Sequence, residues 1–335
     1  RLNLSVDFFN KNTKNLIKTQ DVNWPTTIGI ASPLINDGQV NNRGLEISAL
    51  WKDRIGKDIG YYVSANVATL RNRLTNIGAA NPDGSKPVWT YEDDYHYKEL
   101  TPYRSAEGKP LYSYYLLRTD GVFQTDAEAA AYVNSNGQRL QPKAKAGDLK
   151  FVDIDQNGSI GEGDYEFRGN AMPKMTYAFS AGFSYKKFSF DFMFQGSYGA
   201  KLFNAYKYTT LNEAVGSFNR SEKILKALEG PTYDVPRISM TDDNDNFGRI
   251  SDWYLESGSY LRMKNISISY SFSDLLRKLA FFNQRQSTLD LTLSCDNLFT
   301  ITPYSGIDPE VGGVGLDCGQ YPVSRTISLG VKIKF

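Results

Sequence analysis

Residues 151–167 read FVDIDQNGSIGEGDYEF, and within them oxygen-bearing side chains recur at the spacing of a calcium-binding loop. Asp153, Asp155 and Asn157 stand at alternate positions, Gly158 permits a sharp turn, Ser159 offers its carbonyl, Gly161 marks the place of a bridging water, and Asp164 closes the set. Hard oxygen donors on a tight loop suit Ca2+. Two features depart from the helix-loop-helix pattern. Asp164 replaces the usual bidentate Glu, and the flanks KFVDI and YEFRG read as extended chain. A bound ion would therefore stiffen the loop and would not open a pair of helices. The alternative is an Asp, Asn and Gly-rich turn whose side chains satisfy its own backbone.

Catalytic groups are scarce. The single histidine, His96, lies among Asp94, Tyr95 and Tyr97, and no partner for a nucleophilic triad or a metal site can be identified. Asp93, Asp94 and Glu99 have the residue types of a glycosidase pair, but nothing fixes their separation. The expectation is a protein that is not an enzyme. Trp89, Tyr91, Tyr95, Tyr97, Trp253 and Tyr254 could stack on sugar rings or grip a peptide; packing among themselves is the alternative. Two cysteines, Cys295 and Cys318, exclude a disulfide scaffold and a four-cysteine zinc site, leaving at most one disulfide.

The elements that carry these residues are strands. Residues 326–335 alternate strictly, with Ile327, Leu329, Val331, Ile333 and Phe335 on one face. The same alternation recurs in Leu2, Leu4, Val6 and Phe8; in Leu45, Ile47, Ala49 and Trp51; and over 61–69, 266–272 and 289–299. Residues 177–185 and 188–194 form a hairpin of two aromatic-faced strands around YKK. Eight long strands result. Helical signals are confined to loops: 125–133, where Thr125 and Glu128 have capping-box spacing and Phe123 can staple the start, and about 221–228. Residues 84–103 show no period and read as exposed loop.

The chain of 335 residues carries 38 Lys and Arg against 37 Asp and Glu, without a like-charge block, so a nucleic-acid partner is not expected. Aromatic residues reach 13%, yet mean hydropathy is −0.44. No segment approaches the ~18 apolar residues of a membrane helix, a test that is blind to β-barrels. Short connections (52–58, 185–187 and a medium one at 273–286) alternate with long ones (11–40, 73–175, 201–258 and 300–322). Short turns at one end and long loops at the other, with aromatic-faced strands, describe an outer-membrane barrel better than a soluble sandwich. The chain opens on Arg1 directly in a strand pattern, without Met or signal peptide, as if cut from something longer.

The tail LSCDNLFTITPYSGIDPEVGGVGLDCGQYPVSRTISLGVKIKF resembles the C-terminal end of the SusC/RagA family of TonB-dependent outer-membrane transporters of Bacteroidetes: an NLF strand end (297–299), a YSG-DPE loop (304–310), a GLD-x-G-x-YP-x-x-R-T entry (315–326) and a terminal Phe335 follow in that order. NDGQVNNRGLEI (36–47), the segment at 147–174 and YLRMKNISISYSF (260–272) also resemble that family.

The resemblance implies an all-β, antiparallel transmembrane barrel portion, about 8 strands of a barrel of about 22 around a plug. It implies that residues 1–335 supply the C-terminal barrel part, that 73–175 is a long extracellular region holding the calcium-like loop at 153–164, and that Phe335 is read by the assembly machinery. It further implies placement in the cell outer membrane, coupling to TonB through an N-terminal region, and import of an oligosaccharide or peptide captured with a SusD-like surface lipoprotein. The alternative function is a surface adhesin or calcium-stiffened binding protein without transport.

Overall fold

The computed structural model describes residues 1–19, 33–78, 86–91, 95–216, 218–272 and 288–334. The alternating segments form one antiparallel meander: β1 (Leu2–Lys14), β2 (Gln39–Ile55), β3 (Ile59–Thr69), β4 (Met175–Tyr185), β5 (Phe188–Tyr198), β6 (Tyr260–Ser271), β7 (Thr288–Ile301) and β8 (Thr326–Lys334). Each pairs with its neighbours in sequence, and Arg71–Asn76 prolongs β3 along β2. These are the eight strands read from the alternation, several of them longer at the end bearing the long connections.

Register explains why period two suffices. One cross-strand row runs Leu2, Trp51, Val63, Ala181, Phe192, Ile266, Cys295, Ile327, so a single face collects the apolar residues of all eight strands. The next row alternates to the other face and includes Ser64, Ser180, Asn265, Asp296 and Thr326. A one-residue slip would exchange the faces, so the pattern fixes the register. The apolar face lies open: Leu2 is 57% exposed and Ile327 71% exposed. No second sheet covers it among the described residues, which separates this architecture from a sandwich. On the polar face Tyr62 donates to Asp191 Oδ1 across 2.9 Å. Gly182 lies beneath that bond, and a Cβ there would sit 2.2 Å from the same oxygen.

The turns at 56–58 and 186–187 fall at one end of the sheet, and the connections at 15–38, 70–174, 199–259 and 302–325 all leave from the other. The expected medium connection at 273–286 lies outside the described residues, as does Phe335.

The long connections fold together. Trp89–Thr90, Tyr103–Ser105, Ser113–Leu117 and Tyr165–Asn170 form a four-stranded sheet, and Lys201–Asn204, Leu255–Ser257 and Leu316–Asp317 form a three-stranded one. A common core unites Leu116 and Phe151 from one connection, Phe203 and Tyr254 from the next and Leu316 from the last. This corrects the expectation of an exposed loop at 84–103, where Leu100, Tyr103 and Trp89 are buried. Their apolar partners come from residues distant in sequence, so no local period announces them.

Two short helices sit in this cap. α1 (Asp126–Ala131) begins as expected at Thr125, whose hydroxyl accepts from Glu128 N, while the Glu128 carboxylate accepts from Gln124 N, one residue before the cap. Phe123 packs on Ala129. α2 (Tyr206–Leu211) carries no sequence signal, being rich in Tyr and Thr. The expected helix near 221–228 is the 3-10 turn Glu222–Leu228, capped by Ser221.

Candidate functional site

The loop at 153–164 folds back so that Asp153, Asp155 and Asp164 bring carboxylate oxygens within 4.8 Å of one another. Gly158 at φ +88° makes the turn, a conformation that favours glycine. Asp164 is fully buried and accepts amide hydrogens from Ile154 (2.6 Å), Asp155 (3.3 Å) and Gly161 (2.7 Å). Asp155 accepts from the Asn157 amide at 3.1 Å and its side chain at 2.8 Å, and Asn157 Oδ1 is held by Ser159 N and Oγ. Asp153 accepts from Gly158 N at 2.9 Å through one oxygen, while its other oxygen, Oδ1, is buried without a partner. A buried carboxylate oxygen with no donor is costly unless a cation sits beside it. The donor set therefore fits a hard cation, although most of its other oxygens already serve the loop's own amides.

The aromatic residues singled out above pack largely among themselves. Trp253 and Tyr254 are 3% and 0% exposed, at the centre of the cap. Trp253 donates Nε1–H to the Tyr233 carbonyl at 2.7 Å and meets Phe247 edge-on, and Tyr254 stacks on Phe203 at 5.0 Å. Lys207 Nζ lies 4.6 Å above the Trp253 ring and 2.9 Å from Glu256. Burial holds Lys207 below its usual lysine range, against the opposing pull of Glu256. Tyr91 and Tyr95 both pack on Tyr112, Tyr97 meets Tyr208, and Trp89 packs with Val40, Leu74 and Ile77. In this structure these rings serve packing, and neither Trp253 nor Tyr254 presents a face to solvent. His96 is exposed, Glu99 accepts from the Tyr208 hydroxyl, and Asp93 and Asp94 lie outside the described residues.

The strongest polar cluster was not foreseen. Where β5 meets β6, Met193 faces Asn265 but Phe194 faces Met263, leaving Lys264 as an extra residue. Such a bulge re-aims the chain beyond it. By strict alternation Arg262 would share the face of Ile266, Ile268 and Tyr270; after the bulge it stands between Gln195 and Thr300 and turns to the polar side. Arg262 is 2% exposed. Its guanidinium donates to Thr300 Oγ1 (2.8 Å), Asp308 Oδ1 (2.6 Å) and Glu310 Oε2. Glu310 also accepts from Tyr260 (2.8 Å) and Gln195 (2.9 Å), and Asp308 from the amides of Glu310 and Val323. The last long connection is thereby tied to the sheet wall at its DPE residues. Tyr304 donates to Asp317 at 2.5 Å within the same connection, and Tyr114 reaches the Gly315 carbonyl at 3.1 Å, tying that connection to the cap. The ordered motif in the tail carried the signal for this anchorage. It did not name Arg262, which lies outside the alternating stretch 266–272 and would be put on the wrong face by alternation extended across the bulge.

No protein-family model matches the chain. Among curated proteins it is 28% identical over 354 residues to TonB-dependent receptor P3 of Formosa agariphila, covering all of this chain and 32% of that protein. It is 22% identical to TonB-dependent receptor SusC of Bacteroides thetaiotaomicron, covering all of this chain and 30% of that one. The chain thus spans about a third of the length of the curated relatives it matches. Among solved structures it aligns with the RagAB peptide importer in its open-open state at TM-score 0.73 and 23% identity, and in its closed-closed state at 0.72 and 25%, covering 100% of this chain and about a third of each of those. Fold and relatives together define part of the barrel wall of a TonB-dependent receptor, an all-β sheet with one open apolar face. Within that class the chain is the C-terminal portion of a SusC/RagA-family member.

Removing one partner of a buried charge cluster leaves the others uncompensated, typically at about 3–5 kcal/mol. Arg262→Gln in the full-length protein should lower hydrogen-exchange protection across 302–325 by that order while sparing β1 to β4. Burial alone would raise the Asp308 carboxyl, but the Glu310 and Val323 amides and Arg262 outweigh it and hold it below the usual carboxylate range. Its contribution is therefore present above the unfolded value of about 3.9 and lost as pH falls through the lower folded one. Protection factors at 302–325 should be flat from neutral pH to about 5 and drop only below about 4. Unchanged protection in the variant would show that something else anchors the connection.

Proposed function

We propose that this chain supplies barrel wall and loops to an importer that takes up an oligosaccharide or peptide together with a SusD-like lipoprotein, driven by TonB through an N-terminal region. The long connections face the cell exterior, the turns at 56–58 and 186–187 face the periplasm, and the loop at 153–164 lies outside. The carrying observation is the pairing of an open apolar face with a polar face and a packed cap at the end bearing the long connections, in a chain matched over its whole length by TonB-dependent receptors. Deleting the receptor, or TonB, in the native organism should abolish accumulation of the labelled oligosaccharide or peptide that supports growth. Surface binding without TonB-dependent accumulation would favour an adhesin.

Within this reading the loop at 153–164 holds Ca2+ through Asp153, Asp155 and Asp164, with Asn157 and Ser159 closing the turn. Support comes from the unpartnered Asp153 Oδ1 and the clustered carboxylates. The ion would tie the base of the long connection and take no part in transport chemistry. Exposing the full-length protein to a chelator should raise hydrogen exchange over 153–164, and Ca2+ but not Mg2+ should restore it, since Mg2+ demands a tighter octahedral shell. Exchange unaffected by either would identify the loop as a self-satisfied turn.

A further inference from the structure

We propose that the outer surface of the barrel, just above its apolar band, binds the phosphorylated headgroup of an outer-leaflet lipid. The inference rests on the outer-membrane placement. On β1 and β2 the lipid-facing residues are Leu2, Leu4, Val6 and Phe8, opposite Trp51, Ala49, Ile47 and Leu45. Six steps of about 3.4 Å give this band roughly 20 Å of height, close to the ~25 Å of a barrel's apolar belt.

The band then stops. The next rung on the same face pairs Asn10 with Arg43, roughly 7 Å beyond Phe8 and Leu45. Arg43 in turn faces Arg71 directly across the sheet, and Arg73 faces Asn41 one rung further. Like charges directly opposite each other destabilise a sheet. Among the described residues nothing offsets them: Arg43, Arg71, Arg73 and the neighbouring Lys174 are all exposed, and none forms an ion pair or a side-chain hydrogen bond there. Asn41 is already engaged by Asn10 and Asn12.

These four cations line one open cavity of about 930 Å³ whose floor includes Phe8 and Leu45 and whose walls contain no carboxylate. Apolar atoms below and unpaired guanidinium groups above match the two ends of one lipid. Acyl chains lie along Phe8 and Leu45, while Arg43, Arg71 and Arg73 meet the phosphate with their positive charge and charge-assisted hydrogen bonds. A soluble anionic nutrient would find no use for the apolar floor, and Arg43, Arg71 and Arg73 share the face of Phe8 and Leu45.

The test titrates the full-length receptor in detergent with bisphosphorylated lipid A, with its dephosphorylated form and with inorganic phosphate, following bound lipid by native mass spectrometry. The triple change Arg43→Gln, Arg71→Gln and Arg73→Gln should weaken lipid A binding by about a hundredfold, the sum of three cations near a charged surface. Removing the phosphates from the lipid should weaken binding to the wild type comparably, Arg-to-Lys changes at the same positions should retain most of the binding, and millimolar phosphate should not compete. Equal binding by wild type and the Gln variant, equal binding of the dephosphorylated lipid, or displacement by free phosphate would each overturn the assignment. Heat-modifiable migration in the outer-membrane fraction checks the barrel separately: a wild type absent from that fraction overturns the placement and the lipid site together. Should the triple variant lose that migration, Arg71→Gln alone and the dephosphorylated lipid on wild type decide.

Discussion

In hydrocarbon no water is present to satisfy a bare amide or carbonyl, and each such group costs several kcal/mol. That constraint governs this chain more than any side-chain contact. The meander from β1 to β8 pairs every interior strand on both sides, yet the outer edges of β1 and β8 have no partner among the described residues, and the two do not pair with each other. A 13-residue edge left bare in a membrane would cost on the order of tens of kcal/mol. The polar face also argues against closure into a small barrel. Its rows of Ser, Asn, Thr and Asp are too small to fill a narrow interior. The sheet is a sector of something wider.

What the sheet carries at one end follows from the same logic. Long connections running free over a membrane surface would expose the apolar residues they contain. Instead, parts of three connections bury Tyr114, Phe203, Tyr254 and their neighbours in a common core. The cap is then joined to the wall at several points, of which Arg262 is the most charged. A bulge one turn of the pleat away is what aims that arginine inward. The anchorage of a distant segment thus depends on one extra residue in a strand.

Legibility in the sequence tracked the range of the interaction. Period-two alternation is local and strong, so all eight strands, their order of short and long connections and the facing of Ile327 or Leu4 were readable. The α1 cap was readable because Thr125 and Glu128 lie three residues apart. The cap core was not, since Tyr103 and Leu316 meet only after folding. Trp253 and Tyr254 looked like ligand-stacking rings because their type suits it; their partners Phe247 and Phe203 are what place them inside. The clustering of Asp153, Asp155 and Asp164 was legible from spacing, and the turn alternative anticipated side chains bonded to the loop's own amides, though not that Asp164 would hold three of them. Arg262 precedes the alternating stretch 266–272, and alternation carried back across the bulge would give it the wrong face.

The central claim is that these strands are part of a larger barrel whose other strands cover both edges. It is tested most directly by a cryo-electron-microscopy structure of the full-length receptor in a lipid nanodisc. The outer edge of Leu2–Lys14 should be hydrogen-bonded to a strand that precedes it in the full-length protein, and Thr326–Lys334 to the first strand of that barrel, with about 22 strands in all. Direct pairing of Leu2–Lys14 with Thr326–Lys334 in a closed eight-stranded barrel would contradict the account.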